Sequence, residues 1–475
     1  MSDTPHPTPA SATSSNPTDE PDKGELLAYG STTIASDLTS EPCARMVVPV
    51  LNIGLGFNPA LAGSLGMIRL LWDSFTDPLM GYFSDNFKSR WGRRRPLILV
   101  GGLLMAITAS LIWTFPRGAS ENFTMAYILV ALLAFTTSQT IFNVPYGALG
   151  MEMSRSYNGR TRVVLYRSFF QKAGYFITPW LFPLVSLAIF TDVLQGVRIL
   201  TSVLGIMLVL AVINCFRCTH ERTITPPSRP RTGFFKSMWA IASSIHFIRV
   251  TYVYVVMLFL IGFYYLFGMY ICIYHLFDGD VTVGSTHWAG VNTVGNGLAL
   301  VSIPLVGWFA KKYGKHVALK VSMAMMAIGS LLFFVCMNPT YPYLIYIVPV
   351  FYSTSNSAIF IILPSLLADV IDVDDLAHGE RREGLFAASA SYFMKIAYAI
   401  ANGLSGLTLV LVGFNADLGS AQPEGTMLAM KMVFSFLPIV LLGTAFLLLR
   451  NYPITEAYIT EVQAKLKARN EAQTT

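Results

Sequence analysis

The amino-acid sequence predicts an all-α membrane protein with twelve transmembrane helices, and three observations support this fold class. Of the 475 residues, 53% are hydrophobic and only 13% are charged, and the mean hydropathy is +0.54. This composition is too apolar for a soluble protein of this size. Apolar runs of roughly 20 residues, each long enough to cross about 30 Å of hydrocarbon, recur about twelve times. Basic residues are concentrated in alternate loops, as expected of a polytopic membrane protein.

The apolar runs define twelve spans in two sets of six. Residues 1–26 are rich in Pro, Ser and Thr and predict a disordered tail. Prolines among basic residues at 218–244 predict a linker between a first half at 27–217 and a second half at 245–450, with a second tail at 451–475. The approximate spans are 27–52, 58–84, 96–115, 123–152, 163–190, 194–217, 245–275, 284–310, 316–336, 341–370, 384–413 and 425–450.

Basic clusters follow the even-numbered spans, beginning at Lys88, Arg155, Arg217, Lys311 and Arg381. The positive-inside rule therefore places these loops and both termini in the cytoplasm of a protein that lies in the cell membrane. The net charge of +6 is explained by this topology, so we expect no nucleic-acid partner.

Cysteines and histidines do not predict a reactive site. The five cysteines are scattered, and the CxxC pair Cys215 and Cys218 has no second pair or histidine cluster to complete a metal site. No arrangement of a nucleophile with a base is evident either. We therefore expect neither an enzyme nor a resident cofactor.

Span 1 is unusually polar. Asp37, Glu41 and Arg45 recur every four residues and share one helix face, which cannot face lipid. Glu41 and Arg45 either contribute to a cavity or simply pair with each other and join the span to its neighbours. Asp37 has no evident local partner, which makes it the stronger candidate for a residue that faces a cavity.

Span 2 carries Asp73 and Asp77 one helical turn apart at membrane depth. Ionisable residues inside a spanning helix usually face an aqueous cavity and mark an ion or substrate path. We therefore predict a cation site at this pair, which would be the metal ligands if the ion is Na⁺. The basic turn that follows, up to Arg95, should lie on the cytoplasmic side.

Spans 4 and 5 add further polar residues. Span 4 ends in QTIFNVPYGALGMEM, where Pro145 removes a backbone donor and Thr140 and Asn143 lie on about one face. Polar groups and a bend coincide here, which makes Asn143 and the neighbouring Tyr146 candidates for a binding site; the alternative for Asn143 is an interhelical hydrogen bond without a ligand. Arg167 lies barely a turn inside span 5, where it can reach either the cavity or the membrane interface.

The second half echoes the first. GWFAKKYGKH at 307–316 resembles the glycine-led basic turn after span 2, which suggests an internal duplication. Two six-span halves with a binding site at their interface are the usual transporter arrangement. The aromatic run Phe263, Tyr264 and Tyr265 in span 7 is assigned to packing.

Span 10 ends in ADVIDVDD, an acidic run beside further arginines at the cytoplasmic rim. A solvated charge run is one interpretation. The other is a cytoplasmic gate, in which these acids pair with the basic turn of the first half when the halves close on that side. The candidate gate residues are Arg93, Arg94, Arg95, Asp369, Asp372 and Arg381.

Span 11 contains one charge, Lys395, roughly 18 Å deep by its distance from Glu383 along a helix. An unpaired ammonium at that depth needs a carboxylate. Asp37, Asp73 and Asp77 lie at similar depth, and all belong to the first half. We therefore expect Lys395 to couple the two halves.

These features resemble a known family. WDSFTDPLMGYFSDNFKSRWGRRRP at 72–96, with twelve spans and paired basic turns, is similar to the glycoside-pentoside-hexuronide:cation symporter family of the major facilitator superfamily. The similarity runs from Tyr29 to about Leu449. It implies the major facilitator fold, with twelve transmembrane helices in two six-helix halves.

The resemblance also implies a cation site. Asp73 and Asp77 match the two family carboxylates at the cation, and Thr140 matches a hydroxyl beside them. Lys395 matches a helix 11 lysine near these carboxylates. Thr76 stands where a well-known member has an asparagine beside the cation. The resemblance therefore does not decide whether the coupling ion is Na⁺ or H⁺.

For the solute, Asp37 and Arg167 match residues near a sugar, and Phe360 stands at the position of a tryptophan there. Asn143 replaces a carboxylate that grips sugar hydroxyls, and Gly147 replaces a tryptophan near the ring. The resemblance therefore implies a sugar site without implying a galactoside.

These expectations combine into a secondary active symporter that moves an organic solute with Na⁺ or H⁺ by alternating access. A sugar, glycoside or uronide is the first expectation for the solute, and a lysolipid or other amphiphile is the alternative. A membrane sensor without transport would not need the Asp73 and Asp77 pair. The expected partners are the solute, the coupling cation and the bilayer, with the chain acting as a monomer.

Overall fold

The computed structural model describes residues 20–154, 156–222, 241, 244–379, 383–419, 421–450, 452–454 and 456–474. Most of these residues are helical, and none of them lies in a strand. Most of the predicted linker at 218–244 lies outside the described residues, and so does Arg381.

The described residues form fifteen α-helices, and a helix lies in every predicted span. In chain order they are α1 Lys23–Ala44, α2 Val47–Leu55, α3 Pro59–Asn86, α4 Arg95–Leu111, α5 Glu121–Glu152, α6 Tyr157–Ile177, α7 Leu181–Val185, α8 Val193–Cys218, α9 Ile245–Ile271, α10 Val281–Tyr313, α11 Lys315–Cys336, α12 Val348–His378, α13 Glu383–Leu411, α14 Glu424–Leu449 and α15 Glu456–Thr474.

Eight helices of the described chain are long and apolar enough to cross a membrane by length and composition. Helix α4 is apolar but has only 17 residues. Helices α1, α3 and α6 are not among the eight because charged and polar residues interrupt their apolar runs. Those three helices carry most of the predicted cation- and solute-binding residues of the first half.

Capping side chains set several helix starts. Each accepts a hydrogen bond from a backbone N–H two or three residues further on, which satisfies a donor that the first helical turn leaves free. The residues are Asp22, Asn58, Ser120, Asp192 and Asp280.

The helices pack as two halves. In the first, α1 packs on α6 and α8, α4 packs on α5 and α8, and α3 packs on α5. In the second, α9 packs on α13 and α14, and α12 packs on α10 and α11. The halves meet where α3 packs along α13 and where α10 packs on α7. Of these two contacts, the one between α3 and α13 joins helices that carry predicted site residues.

Two spans of the first half are broken. Span 1 breaks at Arg45 and Met46, between α1 and α2, three residues after Pro42. Span 5 breaks at a short 3₁₀ turn, Thr178–Trp180, that contains Pro179. Non-helical backbone at membrane depth is tolerated where it borders protein or a cavity, and both breaks border the cavity between the halves.

The halves are closed at one end of the bundle. We name the end with the turn at 87–94 the basic end, and the opposite end the far end. At the far end, Tyr270 donates a 3.0 Å hydrogen bond to Asn52 Oδ1 and Thr282 donates a 2.8 Å hydrogen bond to the Ser186 carbonyl. A Cβ built on Gly63 would lie 2.8 Å from the Asn402 carbonyl oxygen, and one on Gly406 would overlap the carbonyl of Pro59. Helices α3 and α13 therefore touch through their backbones.

The predicted tail at 451–475 contains helix α15. Its buried face includes Ile459, Val462 and Leu466. Arg469 lies 2.8 Å from Asp375 and Gln463 donates a 3.2 Å hydrogen bond to Asp372. Helix α15 therefore holds the acidic end of α12 within the second half.

Candidate functional site

The centre of the candidate site is a triad of charges that joins the halves. Asp73 and Asp77 project from one face of α3, and Lys395 projects from α13. The ammonium of Lys395 lies 2.6 Å from Asp73 Oδ2 and also donates a hydrogen bond to Asp77. The side chains of Lys395, Asp73 and Asp77 are 23%, 17% and 35% exposed. The triad is therefore shielded but reachable.

Two hydroxyl groups complete the surroundings of the carboxylates. Thr140 on α5 donates a 3.3 Å hydrogen bond to Asp73 Oδ1, and the hydroxyls of Thr140 and Thr76 are 3.2 Å apart. Carboxylate and neutral oxygens are the ligands that hard cations prefer. No group of three or more His, Cys, Asp or Glu in the described ranges forms a metal cluster, so any cation here would rest on two carboxylates and hydroxyls.

Asp37 and Arg167 lie together between α1 and α6. Asp37 is half-buried, and no described residue forms a hydrogen bond with its buried Oδ2. The groups that act on its charge are Glu41 on the same helix and Gln171 and Arg167 on α6. Arg167 therefore reaches the interior near Asp37 and is not directed only to the membrane interface.

Tyr146 is more deeply placed than its position in the sequence suggests. Its side chain is 2% exposed and stacks on Tyr29 with ring centroids 4.4 Å apart. Its hydroxyl lies 2.7 Å from Thr33 Oγ1 and also donates to the Tyr29 carbonyl. The guanidinium carbon of Arg167 lies 5.7 Å from the centroid of the Tyr146 ring. Tyr146 is therefore placed to hold Arg167 in position through a cation–π contact.

The two other predicted solute residues are exposed. Asn143 lies on the exposed face of α5, and Phe360 on α12 is 59% exposed. Phe360 lines a cavity of about 170 Å³ between the halves, together with Lys172 and Tyr175. Asn143 and Phe360 lie in opposite halves, and the described side chains show no hydrogen bond that joins either of them to Asp37.

A larger cavity of about 310 Å³ adjoins this one, on the far-end side of the triad. Sequence reasoning gave no solute role to several residues that line it: Arg69, Tyr265, Asn292, Tyr398 and Asn402. Asn292 and Asn296 lie four residues apart in an apolar span, a spacing that could have predicted a polar face directed to a cavity. The aromatic run in span 7 includes a cavity residue, because Tyr265 lines both cavities while Phe263 and Tyr264 are buried in packing.

The basic turn of the first half is tied to its own half. Arg93 lies 2.6 Å from Glu152, and Arg94 lies 2.5 Å from Asp85 and 3.3 Å from Glu152. Arg95 donates hydrogen bonds to the Phe216 carbonyl.

The acidic run is also tied to its own half, since Asp369 lies 2.8 Å from Lys315. The structure thus does not bring Arg93, Arg94 and Arg95 against Asp369 and Asp372, and Arg381 lies outside the described residues. The gate stays a prediction for a conformation closed at the basic end.

Comparison with known proteins places the chain in a family. The family model described as MFS/sugar transport protein matches residues 28–456. An uncharacterised symporter from Synechocystis sp. is 26% identical, over 94% of this chain and 96% of the relative. Sodium-dependent lysophosphatidylcholine symporter 1 from Gallus gallus is 26% identical, over 84% and 80%. The putative glycoside/cation symporter YagG from Escherichia coli is 25% identical, over 88% and 89%.

Solved structures support the fold. A bacterial homologue of the human lysosomal transporter Spinster, in an inward-facing and unoccupied conformation, matches with a TM-score of 0.66 at 13% identity, over 90% of this chain and 96% of that chain. A mutant of the nucleoside transporter NupG matches with a TM-score of 0.65 at 12% identity, over 89% and 99%. The expectation of a non-enzyme is confirmed, because these relatives and neighbours are membrane transporters. The chain is therefore a multi-pass membrane transporter and belongs to the MFS/sugar transport protein family.

Proposed function

We propose that this transporter is a symporter, in which a cation, Na⁺ or H⁺, binds at Asp73 and Asp77 and an organic solute binds between the halves. The observation that carries the proposal is the contact of Lys395 with both carboxylates. A cation that binds these carboxylates must compete with an ammonium that belongs to the other half. Its binding therefore changes the contact between the halves, which is what coupling to alternating access requires.

The solute site in this proposal comprises Asp37, Asn143, Arg167 and Phe360, with Tyr146 supporting Arg167. Cation and solute are coupled if each binds better when the other is present, a reciprocal free energy of about 1–3 kcal/mol. The solute is a sugar, glycoside or uronide. An amphiphile such as a lysolipid is the second candidate, and the mainly apolar wall of the 310 Å³ cavity favours it.

The protein in this proposal lies in the cell membrane, the plasma membrane or the bacterial inner membrane, with both termini in the cytoplasm. The basic turns at Arg93–Arg95 and Lys311–Lys315 support this orientation through the positive-inside rule. The chain acts as a monomer, and its partners are the solute, the coupling cation and lipid. The first and second halves rock about the triad.

The proposal is tested with the purified full chain in proteoliposomes, using a panel of radiolabelled sugars, uronides, glycosides and lysolipids. We expect one class to accumulate when a Na⁺ or proton gradient is imposed, and accumulation to stop when an ionophore collapses that gradient. Liposomes without protein are the control. Solute exchange that never depends on either gradient would show a uniporter and refute the symport proposal.

The predicted gate at the basic end gives a smaller effect. Exposed ion pairs are each worth about 0–1 kcal/mol. Arg95→Glu or Asp372→Arg should therefore shift the ratio between molecules open at the basic end and molecules open at the far end by less than about fivefold. Both changes together should partly restore it, since the attraction returns with its signs exchanged. Alkylation of a cysteine introduced at Phe360, in a background without the native cysteines, reports the shift.

The matched control for this experiment is Arg117→Glu, because Arg117 pairs at 3.0 Å with Asp192 in the same half at the far end. It should leave alkylation unchanged. Unchanged alkylation in both gate variants, or a double variant no closer to the parent, would leave the turn at 93–95 with only a topological role.

A further inference from the structure

Arg69 on α3 is a buried cation without a partner among the described residues. Its side chain is 8% exposed, and its Nε is buried without a hydrogen bond. Among the described residues it forms no hydrogen bond or ion pair, although Asp73 and Glu41 act on its charge from beyond contact distance. A buried charge is unfavourable unless it is paired. The guanidinium is therefore available to a ligand.

Arg69 lines the 310 Å³ cavity, four residues and about 6 Å along α3 from Asp73. Arg45, at the break between α1 and α2, lines the same cavity. The Arg45 side chain is 52% exposed and lies 3.2 Å from Glu41 and 4.6 Å from the Tyr265 ring centroid. Because one carboxylate cannot saturate five guanidinium donors, Arg45 retains free donors toward the cavity.

The charges around the triad and the two cavities do not balance. Cations outnumber carboxylates by five to four: Arg45, Arg69, Arg167, Lys172 and Lys395 against Asp37, Glu41, Asp73 and Asp77. A coupling cation at the triad would add another positive charge to this low-dielectric interface. A ligand with a negative charge would offset that excess.

The remaining cavity wall describes the rest of such a ligand. It is mainly apolar and aromatic, with Leu70, Phe182, Met269 and Trp288. A volume of about 310 Å³ lies at the lower end of the usual range for small-molecule sites. A sugar-sized or aryl-sized body fits there, and a long acyl chain would have to extend beyond it.

We propose that Arg69, together with Arg45, binds a carboxylate or phosphate-type anionic group of the transported solute, whose apolar part lies against the cavity wall. This inference rests on the proposed symport and names the solute class as an organic anion. Planar guanidinium groups bind carboxylates and phosphates through two parallel hydrogen bonds, and such charge-assisted bonds are stronger than neutral ones.

The test is calorimetric titration of the full chain in lipid nanodiscs, with two pairs of probes that differ in charge. The first pair is phenyl β-glucuronide and phenyl β-glucoside, and the second is octyl phosphate and octanol, each corrected with empty nanodiscs. We expect the anion of one pair to bind at least about tenfold more tightly than its neutral partner. The pair that shows the preference tells a sugar acid from an amphiphile.

Arg69→Gln should remove most of this preference and leave the neutral probe's affinity nearly unchanged, whereas Arg69→Lys should retain part of it. Arg45→Gln is the second variant and should also weaken anion binding. It keeps the test decisive if Arg69→Gln does not fold. Arg117→Gln, an exposed arginine at the far end, is the matched control and should keep the full preference.

The outcomes separate this inference from the symport proposal. No preference for the anion in either pair by the parent protein, or a full preference in folded Arg69→Gln and Arg45→Gln, overturns the anion subsite. Accumulation of only neutral solutes with a cation also overturns it while leaving symport intact. Tight anion binding without any cation-driven transport supports the subsite and refutes symport.

Discussion

Replacing Asp73 by asparagine is expected to abolish cation-driven accumulation while leaving solute exchange. The amide keeps the shape of the side chain but removes a negative charge that lies 2.6 Å from Lys395 and accepts a hydrogen bond from Thr140. Changes to residues that only support metal ligands typically weaken metal affinity by about 10–100-fold. Since Asp73 is a proposed ligand itself, we expect its replacement to weaken cation affinity by at least about 100-fold. Asp77→Asn should act in the same direction. Uptake into proteoliposomes under an imposed gradient gives the accumulation, and counterflow without a gradient gives the exchange.

The control is Glu461→Gln on α15, which makes the same change from carboxylate to amide. Glu461 is 62% exposed and pairs with Lys465 at 2.6 Å, so its loss should have little effect on stability or transport. Concentrative uptake that persists in both aspartate variants would mean that the coupling ion binds elsewhere.

Removing the ammonium with Lys395→Ala is expected to have the other large effect, namely loss of coupling. Two carboxylates on one face of α3 would then face each other without the cation that now bridges them. Breaking a fully buried pair costs about 3–5 kcal/mol, and partial exposure of this triad reduces that figure. The carboxylates would instead retain the coupling ion, because their competitor is gone. We therefore expect tighter cation binding, slower or absent transport, and an altered dependence of transport on pH.

Lys395→Arg and Lys465→Ala are the companions to this variant. The first keeps a positive charge at the interface and should retain part of the coupling, and the second removes an exposed lysine and should change nothing. Calorimetric titration of Na⁺ and the pH profile of uptake are the measurements. If both match the parent protein in Lys395→Ala, the contact with Asp73 and Asp77 in this conformation has no part in coupling.

The triad shows what residue spacing can predict. Counting residues along spans 2 and 11 gave the depth of Asp73, Asp77 and Lys395, and depth alone reduced the partners of the lysine to a few acids. The same counting also admitted Asp37. The choice depends on how α3 packs along α13, which follows from close approach at glycines in both helices and is not encoded in depth.

Arg69 shows where spacing fails. Four residues separate Arg69 from Asp73, a spacing that favours an ion pair on one helix, yet the described structure leaves Arg69 unpaired because Lys395 occupies Asp73. That competitor comes from more than 300 residues away along the chain. Tyr146 illustrates the reverse, since its partners Tyr29 and Thr33 in span 1 saturate a hydroxyl that the sequence alone leaves open.

The backbone contact of Gly63 with Gly406 has a consequence for measured affinities. It is a backbone contact without any group proposed to bind the cation or the solute, so it favours the conformation closed at the far end whether or not a ligand is present. A ligand that arrives from the far side binds only molecules that are open there, and its apparent dissociation constant rises by the inverse of the fraction that is open. The Gly63–Gly406 contact does not oppose a ligand that arrives from the basic side. The two faces of one binding site should therefore show different apparent affinities, set by a pair of glycines that never touch the solute.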